Sequence, residues 1–85
     1  MMKAKQKWIE QWQQSPQTRI SVIIHTESDP RHYVEIVQEK GLSITHAFRL
    51  TKTMAANGPA KTILDLLQAT WVIKIEPDQK IATMK

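Results

Sequence analysis

The sequence predicts one α+β domain whose strands and helices follow the order β-α-β-β-α-β. Three observations lead to this prediction. Apolar, β-branched stretches that are typical of strands occur near both ends of the chain. The stretch near the N-terminus is followed by residues that start and end a helix, and the stretch near the C-terminus is preceded by apolar residues at helical spacing. The chain has 85 residues, which suits a single domain. Its content of 41% hydrophobic and 24% charged residues is that of a globular chain and excludes a disordered one.

The first strand and helix are predicted from residues 19–40. Residues 19–26 read RISVIIHT, a nearly continuous β-branched run typical of a buried strand. Asp29 is a good N-cap and Pro30 suits the first helical position, so a helix is expected from there to about Lys40. Gly41 is expected to end it. The residues of this helix expected to face the core are Tyr33, Val34, Ile36 and Val37.

The next two strands are predicted from residues 43–56. Residues 43–53 alternate in polarity, which indicates a half-buried strand with one side formed by Ile44, His46, Phe48 and Leu50. A short strand at 53–56 is expected to follow a tight reversal. The sequence Asn57-Gly58-Pro59 is expected to break it and to open the second helix.

The second helix and the last strand complete the predicted fold. The expected core-facing stripe of the helix is Ala60, Ile63, Leu64 and Leu67. Residues 71–76, WVIKIE, predict the final strand, whose pairing Pro77 ends. Two interleaved β-α-β units of this kind give a ferredoxin-like fold, a four-stranded antiparallel sheet with both helices on one face. The other face is expected to be uncovered and available for docking.

Residues 1–16 precede the predicted domain, which spans residues 17–85. Trp8 and Trp12 are four residues apart, so a helix would place both on one face. The segment is predicted to be a short helix or arm that ends at Ser15-Pro16. The two tryptophans are expected to pack against the domain itself.

The residue types disfavour catalysis and cofactor binding. The sequence contains no cysteine, and the spacing of His25, His32 and His46 matches no zinc signature. It has no glycine-rich phosphate loop and no serine in a nucleophile elbow. We therefore expect a binding protein that has no enzymatic activity, cofactor or metal. The net charge of +4 is spread along the chain, which is typical of a solvated surface. We expect no nucleic-acid partner and no membrane partner, and we expect the free chain to be a monomer.

The sequence as given contains neither a signal peptide nor an apolar run long enough to span a membrane. A cytoplasmic location is expected on this basis. An extracellular location is expected instead if the chain is a domain excised from a secreted precursor.

Three segments carry a resemblance to a known family. Residues 20–25 form an apolar opening strand, and residues 51–56 read TKTMAA, a small-residue third strand with Met54 where an aromatic residue is common. Residues 72–81 read VIKIEPDQKI, an apolar strand followed by Glu-x-Asp and an apolar tail residue. Over residues 20–84 the chain resembles the propeptides of subtilisin-like serine proteases, the inhibitor I9 family.

The resemblance implies a partner and a set of binding residues. Family members press the open sheet face onto two parallel surface helices of the protease. Glu76 and Asp78 match the acidic pair that caps the N-termini of those helices, where unpaired N–H groups and a partial positive charge favour a carboxylate. The tail would enter the substrate cleft as an added strand. The tail residues are Ile81, Ala82, Thr83, Met84 and Lys85, and Lys85 departs from the family's apolar or aromatic terminus.

The resemblance thus implies protease inhibition, and also an intramolecular chaperone role in folding the protease. Two other functions remain open from the residues. A nucleic-acid-binding ferredoxin-like domain would need aromatic residues on its strands, and only Phe48 and Trp71 are available. A regulatory domain for a small ligand would use the turn after the first strand, which lacks glycine here.

Overall fold

The computed structural model describes residues 4–78. The elements are α1 (Gln6–Gln14), β1 (Arg19–Thr26), a 3₁₀-helix (Pro30–Tyr33), α2 (Val34–Glu39), β2 (Ser43–Phe48), β3 (Thr53–Pro59), α3 (Ala60–Leu66) and β4 (Val72–Pro77). The order after α1 is the β-α-β-β-α-β order predicted from the sequence. None of the helices in this part of the chain is long and apolar enough to cross a membrane.

The four strands form one antiparallel sheet in the order β2-β3-β1-β4. The sequence neighbours β1 and β2 are separated by β3, and β3 and β4 are separated by β1. Two interleaved β-α-β units produce this arrangement, because each crossover skips one strand. The predicted ferredoxin-like α+β class is confirmed.

The hydrophobic core lies between the helices and one face of the sheet. Its sheet side is formed mainly by Val22, Ile24, Met54, Ala56 and Ile75, each at most 2% exposed. The N-terminal helix α1 closes part of this core, since Trp12 is buried and Trp8 packs against the cluster. The expectation that the tryptophans pack against the domain itself is confirmed.

The helical region after β1 begins and ends as predicted, but it has a different inner face. Asp29 is the N-cap, Pro30 occupies the first turn, and Gly41 has a φ of 100°. The first turn is a 3₁₀-helix, whose three residues per turn rotate the following side chains relative to an α-helix. Val37 is fully buried, whereas Ile36 is exposed, so the prediction that Ile36 faces the core is wrong.

A β-bulge in β2 overturns the predicted alternation of that strand. The pairing with β3 shifts between Ile44 and His46, so Ile44 faces the helices while His46 and Phe48 lie on the opposite face. An inserted residue reverses the side of every residue that follows it. The expected single side formed by Ile44, His46, Phe48 and Leu50 is therefore wrong. Leu50 lies in the turn beyond the strand and is 92% exposed.

β3 does not break where the sequence predicted. It continues through Asn57 and Gly58 to Pro59, because Gly58 pairs with Ile20 of β1 and lies close to Leu42. A Cβ at this glycine would overlap the side chain of Leu42. The helix α3 then begins at Ala60, immediately after the strand.

The inner face of α3 also differs from the predicted stripe. Ala60 and Ile63 are buried as expected, but Leu66 is fully buried while Leu64 and Leu67 are only partly buried. The reason is that α3 contacts both β3 and α1, so its inner face is turned toward two neighbours. The final strand begins at Val72, one residue later than predicted.

Candidate binding face

The sheet face opposite the helices, which we call the open face, consists of cross-strand rows of side chains. The row nearest the β2–β3 turn contains Phe48, Thr53, His25 and Lys74. The middle row contains His46, Ala55, Ile23 and Glu76. The third row contains Ser43, Asn57, Ser21 and Asp78. Asp78 belongs to this row because its backbone N–H donates a hydrogen bond to the Ser21 carbonyl. Cross-strand neighbours of this kind contact one another directly.

A depression of about 350 Å³ lies at the centre of the open face. Its lining residues are Ile23, Thr45, His46, Phe48, Ala55, Glu76, Pro77 and Asp78. It is hollow because Ala55 carries only a methyl group between larger neighbours. One wall is aromatic, with the His46 and Phe48 rings 5.5 Å apart, and the other is acidic. Such a surface can accept an apolar side chain and hydrogen-bond donors at the same time.

The Glu76 carboxylate is held in place by His25. Nε2 of His25 lies 2.6 Å from Oε2 of Glu76, and both side chains are partly buried. The two residues are diagonal neighbours on β1 and β4, because Glu76 pairs with Ile23 and His25 pairs with Lys74. This contact links the strands and fixes the direction of the carboxylate. The sequence analysis missed this role of His25, since the two residues are 51 positions apart.

Glu76 and Asp78 lie on the same face. Residues two apart in an extended strand project from one side, and both line the central depression. The residue between them, Pro77, pairs with Val22 of the core face. The two acidic residues singled out from the sequence are thus brought together. The predicted tail residues Ile81, Ala82, Thr83, Met84 and Lys85 lie outside the described part of the chain.

A second groove, of about 420 Å³, adjoins the point where the described chain ends. Its lining residues are Gln11, Trp12, Arg19, Ile20, Ser21, Val22, Pro77 and Asp78. Arg19 donates from Nη2 to the Asn57 side-chain oxygen at 2.9 Å, which holds its guanidinium at this end of the sheet. Asp78, the last described residue, therefore lies beside α1 and the start of β1.

The residues of the two alternative functions are placed differently. Phe48 lies on the open face, but Trp71 precedes β4 and stacks on Tyr33, with ring centroids 4.3 Å apart and planes within 3°. Only one of the two candidate aromatic residues is therefore on the open face. In the turn after β1, hydrogen bonds from the Arg31 side chain and backbone N–H lower the pKa of Asp29 to about 2. The side chains of this turn therefore form hydrogen bonds with one another.

The side chains of residues 4–78 define the chemistry of the open face. Within this range, no three His, Cys, Asp or Glu side chains come together as metal ligands. The open face combines an apolar centre with two adjacent carboxylates. No protein-family model and no curated protein matches this chain.

Proposed function

We propose that this chain binds and inhibits a subtilisin-like serine protease. The open face docks on two surface helices of the enzyme, and the tail of residues 81–85 occupies the substrate cleft. The observation that supports this most is the position of Glu76 and Asp78. Both lie on the open face at the end of β4, and in the sequence the tail residues 81–85 follow Asp78 after two further residues. The order of a sheet face, an acidic pair and a tail is what the resemblance to subtilisin propeptides implies.

The chemistry of the face fits helix N-termini. The first turn of a helix exposes unpaired N–H groups and carries a partial positive charge. Each surface carboxylate placed there contributes about 0.3–1 kcal/mol, and more when the contact excludes water. Ile23 and Ala55 of the central depression provide the apolar contact that excludes water beside Glu76. His25 holds that carboxylate in one direction, which reduces the entropy lost on binding.

The same face is proposed to assist folding of the protease. A surface that binds two helices of the folded enzyme also stabilises any intermediate in which these helices are already paired. Inhibition and folding assistance then share the open face, whereas only inhibition needs the tail.

The first test separates docking from cleft occupation. The full chain is expected to inhibit hydrolysis of a short peptide by a subtilisin-like protease. A chain ending at Asp78 is expected to bind the enzyme, measured by calorimetry, without blocking a short substrate, because all elements lie within residues 4–78. Equal inhibition by the shortened and full chains would show that the tail is not the inhibitory segment.

The second test concerns the acidic pair. Glu76→Gln and Asp78→Asn are each expected to weaken inhibition about fivefold, which corresponds to about 1 kcal/mol of lost helix capping. Glu35→Gln is the matched control, since Glu35 is exposed on α2, away from the open face. Circular dichroism melts check that the variants fold. Equal inhibition constants for all three variants would remove the capping role.

A further inference from the structure

The open face carries opposite charges at its two ends. Lys74 lies in the row nearest the β2–β3 turn, and Arg49 and Lys52 lie in that turn. The carboxylates Glu76 and Asp78 lie in the two rows further along the strands. Among residues 4–78, each end of the open face also contains one residue of the other sign: Glu27, which follows β1 at the turn end, and Arg19 at the far end. Counted over these described residues, the turn end is net positive and the far end net negative.

Lys74 is available for a partner. Its side chain is exposed, and its position opposite His25 places it on the open face. The two ion pairs among residues 4–78 join His25 to Glu76 and Arg31 to Asp29. In the described part of the chain, the Lys74 ammonium thus has no carboxylate within ion-pair distance.

We infer that Lys74, together with Arg49 and Lys52, binds the C-terminal ends of the same two helices whose N-terminal ends meet Glu76 and Asp78. This inference rests on the proposed function. Every α-helix carries a partial negative charge at its C-terminus, opposite to the charge at its N-terminus. Two parallel helices lying along the strands bring both C-termini to the turn end of the open face. The face then complements both ends of each helix dipole.

The spacing of the charges sets the length of the helices. The rows of Asp78 and Lys74 are separated along β1 by the distance from Ser21 to His25. Four residues of extended strand span about 13 Å, which is the length of about nine helical residues. A helix that runs from the Asp78 row to the Lys74 row therefore has about nine residues. From the Glu76 row, which is two residues of β1 away from the Lys74 row, the span is about 7 Å, or about four to five helical residues. A helix in the reverse direction would bring like charges together at both ends, so the charge pattern selects one orientation.

The test is a charge reversal with a matched control. Lys74→Glu and Arg49→Glu are compared with Lys61→Glu, which makes the same change in net charge on an exposed residue of α3. The inhibition constant against a subtilisin-like protease is measured at low and high salt. Lys74→Glu and Arg49→Glu are each expected to weaken inhibition about threefold to tenfold at low salt. The loss should shrink at high salt, and Lys61→Glu should stay close to wild type.

Lys74→Glu could also disturb the neighbouring His25–Glu76 contact. Arg49→Glu is the second variant because Arg49 lies in the turn beyond the strand, away from that contact. If both variants inhibit as well as Lys61→Glu while Glu76→Gln is weakened, the inference is wrong and the proposed function stands. If the wild-type chain inhibits no subtilisin-like protease, the proposed function is wrong and the inference with it. A loss that is confined to the two turn-end variants supports the inference.

Discussion

Asp29 shows how one residue defines the start of the helical region. Its carboxylate accepts hydrogen bonds from the Arg31 backbone N–H at 3.0 Å and from Arg31 Nη2 at 2.7 Å. These contacts cap the 3₁₀-helix and lower the pKa of Asp29 from 3.8 to about 2. Because the pKa is lower in the folded chain, the carboxylate stabilises the fold above its unfolded pKa. That contribution is lost as the pH falls through the folded pKa.

We therefore expect Asp29→Ala to lower the melting temperature at pH 7. The difference from wild type should shrink as the pH falls from 4 toward 2, where the wild-type carboxylate also becomes protonated. Thermal melts followed by circular dichroism across this range provide the measurement. Arg31→Gln serves as the companion variant, since it removes the main partner of the same carboxylate. A difference that persists unchanged to pH 2 would show that Asp29 acts through its shape and not its charge.

For individual residues, only part of the candidate site could be predicted from the sequence. Glu76 and Asp78 are two apart after an apolar strand, so their common face follows from strand geometry. The role of His25 was not predictable, because it depends on which residues of β1 and β4 pair. That register contains an irregularity next to His25 itself. No local pattern in the sequence encodes it.

At the scale of elements, local signals predicted the fold and tertiary contacts decided the details. The β-branched run of β1, the Asp29-Pro30 start and the Gly41 stop are local, and each was predicted correctly. The bulge in β2 was not predicted. At the bulge, the Thr45 hydroxyl donates a hydrogen bond to the Ala55 carbonyl of the neighbouring strand β3. The continuation of β3 through Gly58 also depends on a distant residue, because Leu42 occupies the space beside it.

The helix α1 is anchored chiefly by Trp12, which is 5% exposed, whereas Trp8 is half-buried beside the Lys5 ammonium. We expect Trp12→Ala to lower the free energy of unfolding by about 3–5 kcal/mol, because it leaves a large cavity. Trp8→Ala, the matched control, should cost about 1 kcal/mol because less of its surface is buried. Urea titration followed by circular dichroism measures both. Equal losses would mean that the two rings contribute equally to holding α1.

At the scale of the whole molecule, the core and the open face are separate. The core cluster is closed by the three helices, and residues 4–78 contain no buried side-chain polar atom without a hydrogen-bond partner. The Cα radius of gyration is 12.0 Å, close to the value of about 12 Å for a compact domain of this length. The core residues and the open-face residues belong to different sides of the sheet, so the open face can be changed without removing core contacts.

This separation leads to a prediction that divides the two proposed activities. A chain ending at Asp78 keeps every described element and the open face but lacks the tail. Added to a denatured subtilisin-like protease on dilution, it should raise the yield of active enzyme, because the open face stabilises the paired helices. It should not inhibit the enzyme that forms, so recovered peptidase activity can be read directly. The same shortened chain carrying Glu76→Gln and Asp78→Asn should give a lower yield, since both helix caps are lost. Yields equal to those without added chain would show that the open face does not assist folding, whatever the tail does in the cleft.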